Sequence, residues 1–371
     1  MTPTSSASST RNGRTGPGLN DRGIGGRAPA AALVPEGEEP RGIIWRVKSS
    51  WARAACSDSA LCGISKEHLG ALITELAWPW TAARDSELAK RRGHGRLRAA
   101  GAGPDHQLVF VDRVLVTLVV LRWALSHRVL AALFGVSPST IDRAVGEVRP
   151  LLAARGFAVP DRPGIRLRTL ADVFAYAQAE GITLRIDGTE VQVRRPNAGR
   201  PGRKAFVSGK KRQNTEKAPM ISDEQGRELW LGAIRPGRMH DATAVRTEGI
   251  EEQLRLHPKV KAEVDSGYAG LARDFPGQAS APPKKPAADA GPSERNFYDH
   301  ARRCQSQRRI MVEHANAEIK QWRSLQRWTG ERDDLPEVIA AIGALVSDRS
   351  AKRSTRSRPS TELDLVRATA C

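Results

Sequence analysis

The sequence lacks any apolar run near the roughly 18 residues that a membrane span requires. Its longest candidate, Val114 to Leu121, is flanked by Arg113 and Arg122 and reads as a buried helix. Nor does the N-terminus carry the apolar stretch of a secretory signal, so no membrane partner is expected and a cytoplasmic setting, nucleoid-associated if the chain is bacterial, is. Cysteine is scarce as well. Cys56, Cys62, Cys304 and Cys371 form no CxxC pair and have no histidine at zinc-ligand spacing, which excludes a disulfide framework and a structural zinc site.

What the chain has in excess is positive charge. Lys and Arg number 59 against 41 Asp and Glu, a net charge of +18 over 371 residues with a pI near 10.5. A surplus of that size calls for an anionic partner, most commonly a nucleic-acid backbone. The surplus is also clustered. Arg194, Arg195, Arg200, Arg203, Lys204, Lys210, Lys211 and Arg212 fall in a stretch with no acidic residue between Glu190 and Glu216. So one-sided a loop predicts phosphate binding.

The length suits two or three domains of about 100 to 200 residues each. Residues 1–50 are rich in Ser, Gly, Pro and Arg and are expected to be a disordered basic segment. Residues 60–106 read as a helical segment that Pro79 should end or kink, followed by a basic linker. Residues 107–155 have the form of an all-α helix-turn-helix. Val129, Leu130, Leu133 and Phe134 give its first helix an apolar face, Gly135 supplies the turn, and Ser137 caps a second helix that opens on Pro138. Ser139, Thr140, Arg143 and Glu147 would then face outward toward a DNA major groove.

From residue 168 to 347 the periodicity changes to strands followed by helices, predicting a mixed α/β domain with a central mixed sheet and flanking helices; residues 348–371 read as a disordered basic tail. Strand candidates are Thr183 to Val193, Gly226 to Ile234 and Val260 to Asp265. In the first, Ile182, Leu184 and Ile186 share one face while Asp187 takes the other. Val260, Ala262 and Val264 likewise share a face, with Asp265 at the strand's end. Between the last two strands, a helix capped by Asp241 is expected. A helix over about 296–327 carries Val312, Ala315, Ile319 and Trp322 as its core stripe, with Glu313 at the edge. Lys320, Ser324 and Arg327 would lie near Glu313, and Asn316 and Arg323 a little further round. Two aspartates at strand ends of one sheet could bind cations jointly, and hard carboxylate ligands suit Mg²⁺ or Mn²⁺.

Five blocks in order, TLRIDGTEVQVRRP, SGKKRQNTEK, LGAIRPGRMHDATAV, EVDSGYAGL and IMVEHANAEIKQWRSL, resemble the bacterial IS5-group transposases and their Harbinger-like relatives in the DDE endonuclease superfamily. The resemblance covers about residues 107–347. It implies an RNase H-like catalytic domain behind the helix-turn-helix, in which Asp187, Asp265 and Glu313 form the catalytic triad and hold divalent metal ions. It further implies metal-dependent cleavage and strand transfer at insertion-sequence ends. The partners would be double-stranded DNA, as inverted repeats and target, and a second copy of the chain. The predicted DNA contacts are Ser139, Thr140, Arg143, Arg194, Arg195, Lys210, Lys211, Arg212, Lys320, Arg323 and Arg327. Glu190, His240, Asp241 and His314 are secondary candidates, each with a plain structural alternative. One departure is Ser266, where the family often has Lys. The rival readings are a catalytically inactive, transposase-derived DNA-binding regulator, and a nuclease or RNA-processing enzyme of the same fold.

Overall fold

The computed structural model describes residues 49–95, 106–196 and 202–353. The expected disordered segment up to residue 48, the linker from 96 to 105, Arg200 and the tail from 354 lie outside the described residues.

Helices α1 (Ser49–Cys56), α2 (Ser59–Cys62) and α3 (Lys66–Arg92) come first. The Ser65 hydroxyl caps α3 by accepting from the His68 amide at 3.2 Å. Pro79 neither ends the helix nor divides it: α3 runs on for another thirteen residues, through much of the expected linker. Pro79 and Glu75, whose carbonyl loses its amide partner, are both exposed, so water can replace the missing bond.

The predicted helix-turn-helix is present. Helix α4 (Phe110–Trp123) is buried along most of its length, and α5 (His127–Phe134) and α6 (Pro138–Ala153) follow. Gly135 turns the chain at φ 66°, and Ser137 accepts from the Thr140 amide at 3.2 Å. The inward stripe of α5 is Leu130, Ala131 and Phe134, with Leu133 half-buried; Val129 lies a third of a turn outside it and is 46% exposed, contrary to expectation. Helix α6 packs Ile141, Val145 and Val148 inward as expected.

Next come β1 (Phe157–Ala158) and β2 (Arg166–Leu167), a short antiparallel ribbon, and α7 (Leu170–Glu180). The main sheet contains β3 (Thr183–Gln192), β4 (Thr215–Ser222), β5 (Glu228–Leu231), β6 (Arg235–Pro236), β7 (Lys261–Val264) and β8 (Ala279–Ser280). Its order is β5-β4-β3-β7-β8, with β6 on β4. Strands β3, β4 and β5 form an antiparallel meander, and β7 and β8 run parallel to β3. This is the central mixed sheet that the sequence predicts. Strand β4 has no alternating pattern to betray it because every residue in it is buried.

Between β6 and β7 the predicted single helix is two, α8 (Asp241–Glu248) and α9 (Ile250–Leu256), broken at Gly249 where φ is 89°. Helix α10 (Ala269–Asp274) leads into β8, and α11 (Pro292–Lys320) begins four residues before the expected start. It also stops early, at Lys320, and Arg323–Leu325 is a 3-10 turn. Helix α12 (Leu335–Ala351) runs three residues past Asp348 and packs against α6, β5 and β1. The helix-turn-helix and the sheet thereby share one core.

Candidate active site

Strands β3 and β7 are parallel neighbours, with Ile186 beside Val264. The next residue on each chain is an aspartate. Asp187 and Asp265 therefore lie side by side where β7 ends, both half-buried, in a cleft that Gln305, Arg309 and Val312 of α11 close. Asp265 follows the last residue of β7 as expected, whereas Asp187 is not at a strand end, since β3 runs on to Gln192. Asp187 accepts the Gly188 amide on Oδ1 at 2.8 Å and the Asn316 side-chain amide on Oδ2 at 3.0 Å. Asp265 accepts the Ser266 amide and, at 2.6 Å, Nη1 of Arg309. Through Nη2 the same guanidinium reaches Glu313 at 3.4 Å.

Glu313 thus sits across the cleft on α11, with its carboxylate largely exposed. Among the described residues, no three Asp, Glu, His or Cys side chains converge closely enough to hold a metal ion. Arg309 instead bridges two members of the predicted set. The donor chemistry nevertheless suits a hard divalent cation: Asp187 and Asp265 share one cleft, and a cationic group, Arg309, is what links Asp265 to Glu313.

The electrostatics separate the two aspartates. Burial, opposed by the Gly188 amide and Arg309 and reinforced by Asp265 and Glu313, raises the Asp187 carboxyl above its ordinary range. Asp265 is also partly desolvated, but the Ser266 amide and Arg309 outweigh that and hold it below the usual value.

The secondary candidates divide. Glu190 faces away from Asp187 along β3; it accepts from the Ser208 hydroxyl at 3.2 Å and lies 3.7 Å from Lys211. His240, not Asp241, caps α8, its ring nitrogen accepting from the Ala242 amide at 3.3 Å. That leaves Asp241 to pair with Lys217 at 2.7 Å and to lie against Gly267 beside Asp265. His314 is exposed on α11. Arg309, Lys217 and Tyr268 are neighbours of the aspartates that sequence reading missed, and Asn316, placed near Glu313's face of the helix, was given no role. Arg309 and Asn316 lie one turn either side of Glu313, the one signal that could have found them.

Of the predicted DNA contacts, Ser139, Arg143, Arg194, Arg195, Lys210, Lys211, Arg212, Arg323 and Arg327 are exposed. Thr140 is half-buried, its hydroxyl within 3.0 Å of that of Ser137. Glu147 is not available to DNA, because it accepts from Trp80 at 2.9 Å and Arg113 at 2.8 Å. Lys320 is turned inward and donates to the carbonyls of Glu190 and Leu325, and burial pushes its ammonium down to about 8. With α11 ending at Lys320, Ser324 and Arg327 do not share Glu313's helical face. Ser324 is buried against α4 and donates to the Val120 carbonyl at 3.3 Å, while Arg323 lies over the Trp123 ring.

Comparison with known proteins agrees with this architecture. Residues 186–347 match the DDE superfamily endonuclease family, and residues 106–158 match the helix-turn-helix of DDE superfamily endonucleases. A candidate transposase for insertion sequence element IS112, from Streptomyces albus G, is 25% identical over 309 residues, covering 82% of this chain and 96% of its own. Two solved structures also match at a TM-score of 0.16. The Mos1 strand transfer complex is 13% identical, covering 69% of this chain and 84% of that one. The Mos1 mariner paired end complex with Mn is 14% identical, covering 75% and 98%. At that TM-score neither bears on the fold. With its two modules in order, the chain belongs to the DDE endonuclease superfamily and carries that superfamily's helix-turn-helix ahead of the nuclease domain.

Proposed function

We infer that the protein is a transposase that cuts DNA at the ends of an insertion sequence and joins them to a target. The meeting of Asp187 in β3 with Asp265 just past the end of the parallel neighbour β7, with Glu313 of α11 joined to Asp265 through Arg309, carries this reading. Asp187, Asp265 and Glu313 would hold Mg²⁺ or Mn²⁺. Cations bound there would activate the attacking water or 3′ hydroxyl and stabilise the leaving oxygen. The protein's own contribution is orientation: Gly188 and Asn316 fix both oxygens of Asp187, and Arg309 keeps Asp265 anionic. Glu313→Gln and Asp265→Asn should each abolish Mg²⁺-dependent cleavage of a duplex carrying the element's ends. Full cleavage by both would overturn the reading.

DNA is held by two surfaces in this reading. The exposed Ser139 and Arg143 of α6 present the helix-turn-helix to a groove, and Lys210, Lys211 and Arg212 form a phosphate-binding edge beside β3. Inverted repeats come in pairs, so the working form is a dimer or larger assembly of the chain. Neutralising Lys210, Lys211 and Arg212 together should weaken duplex binding and lower the slope of log affinity against log salt by roughly 2 to 3, at about 0.9 per phosphate contact. An unchanged slope would remove this edge from the interface.

A further inference from the structure

Helix α11 is 29 residues long, yet the residues that it buries are Cys304, Val312, Ala315 and Ile319. From Pro292 to Arg303, about 18 Å of helix at 1.5 Å per residue, it buries nothing. Its two ends are held very differently. Just past the C-terminal end, the turn Arg323–Leu325 docks on the helix-turn-helix: Ser324 donates to the Val120 carbonyl at 3.3 Å, and Arg323 lies over the Trp123 ring. Midway along, Gln305, Arg309 and Val312 line the cleft of Asp187 and Asp265. The order along α11 is therefore helix-turn-helix, cleft, and then an exposed arm.

A stretch of helix that lays no apolar face on the core has to be explained by what it presents. Between Asp299 and Glu313 this one carries Arg302, Arg303, Arg308 and Arg309 and no acid. Arg308 pairs with Glu263 and Arg309 with Asp265, whereas Arg302 and Arg303 are exposed and make no ion pair among the described residues. At 100° per residue Arg295 and Arg302 fall within about 40° of Arg309, as do Glu313 and Asn316 at the cleft. The three arginines mark that line at intervals of about 10 Å. Lys285, exposed on the loop beside the helix, shares a groove with Arg295, Tyr298 and Asp299. Phe297, 72% exposed, lies about 120° round from the line, so the ridge offers charge rather than apolar surface.

We propose that this arm grips the DNA backbone beyond the cut bond, on the side away from the helix-turn-helix, an inference that rests on the DNA-cleaving reading above. Arginines on one helical line can meet phosphates without reading bases, so the grip is independent of the flanking sequence. Arg295 stands 14 residues from Arg309, about 21 Å along the helix, which corresponds to about six base pairs at 3.4 Å each. Only that much flank should matter.

Duplexes carrying the element's end, either stopping at the cut bond or running on past it by increasing lengths, test this in metal-free buffer, where no cleavage intervenes. The parent should bind about tenfold tighter as the flank grows to about six base pairs, and gain little beyond that. Arg295→Gln combined with Arg302→Gln should bind the duplex without a flank as the parent does and lose the gain. On the longest duplex its slope of log affinity against log salt should fall by roughly 2. Arg302→Gln alone, at an exposed position, should lose about half of the gain with the unfolding midpoint unchanged. A double variant that keeps the gain would overturn the proposal. So would one that alters the protein's own assembly in sedimentation while keeping the flank effect, which would give the arm to a second copy of the chain. If the parent binds no duplex at all, the DNA-cleaving reading itself fails. If it binds the duplex without a flank and longer DNA adds nothing, only the arm fails.

Discussion

Asp187→Asn should cut DNA on the order of 1,000-fold more slowly than the parent, or worse, while unfolding at the same temperature or a higher one. Both halves come from the same environment. The carboxylate sits midway along β3, largely desolvated, shares its cleft with Asp265 and feels the charge of Glu313. Its raised pKa means that the ionised form is held against its preference, so at neutral pH the charge costs the folded state stability. An amide of the same shape removes that cost and can still bond to Gly188 and Asn316, but it is a poor ligand for a hard cation. A cleavage assay and a melting curve on one preparation would separate lost chemistry from lost fold. Cleavage within tenfold of the parent would take Asp187 out of the site.

The largest effect on stability is expected far from that cleft. Asp348 of α12 accepts from His68 at 2.9 Å, from Arg155 at 2.6 Å and from Arg166, and Arg155 also grips Glu75 with a fork at 2.9 and 2.7 Å. Only 8% of the Asp348 side chain is exposed. Burial opposes its ionisation, but the His68 bond and the two guanidiniums win and hold its carboxyl at about 2. A folded pKa below the unfolded one of about 3.9 contributes roughly 2 kcal/mol, fully present above about pH 4 and lost as the pH falls toward 2. Asp348→Ala leaves Arg155 buried with half its partners gone, so the expected loss in urea unfolding is about 3 to 5 kcal/mol at neutral pH. A loss under about 1 kcal/mol would show that the cluster is screened by water. The pH dependence gives a second reading, since the variant should lack the parent's decline between about pH 4 and 2.

The parts of the molecule that could be read from sequence are those where a repeating pattern meets a one-sided environment. Parity marked β7 because Ala262 and Val264 are buried while Lys261 is exposed; β3 alternates in sequence, yet Arg185 and Thr189 on the face of Asp187 are buried as well as Leu184 and Ile186 on the other. Capping chemistry marked α6, whose Ser137 and Pro138 act as their residue types predict. Strand β4 escaped because both its faces are covered, and with it escaped Lys217, a buried cation paired with Asp241. The end of α11 escaped for another reason. Nothing in QWRSLQRW breaks a helix locally, and the chain leaves helical geometry where buried Trp322 and Leu325 meet the core. Lys320 was therefore assigned to DNA when its ammonium in fact closes two carbonyls. Glu147 shows the same limit, since its partners Trp80 and Arg113 are distant in sequence.

Helix α6, the element that would lie in a DNA groove, packs directly on α12, which itself lies on β5. No flexible tether separates the reading head from the sheet that bears the aspartates. If the protein cuts DNA as proposed, it would act as a ruler, with the number of base pairs between the recognised sequence and the cut bond built into the α6–α12 contact. Because B-DNA turns once in about 10.5 base pairs, an insertion of one base pair there would rotate the target phosphate by about a tenth of a turn away from the cleft. Elements moved by such a protein can vary in length between their ends, but hardly within them.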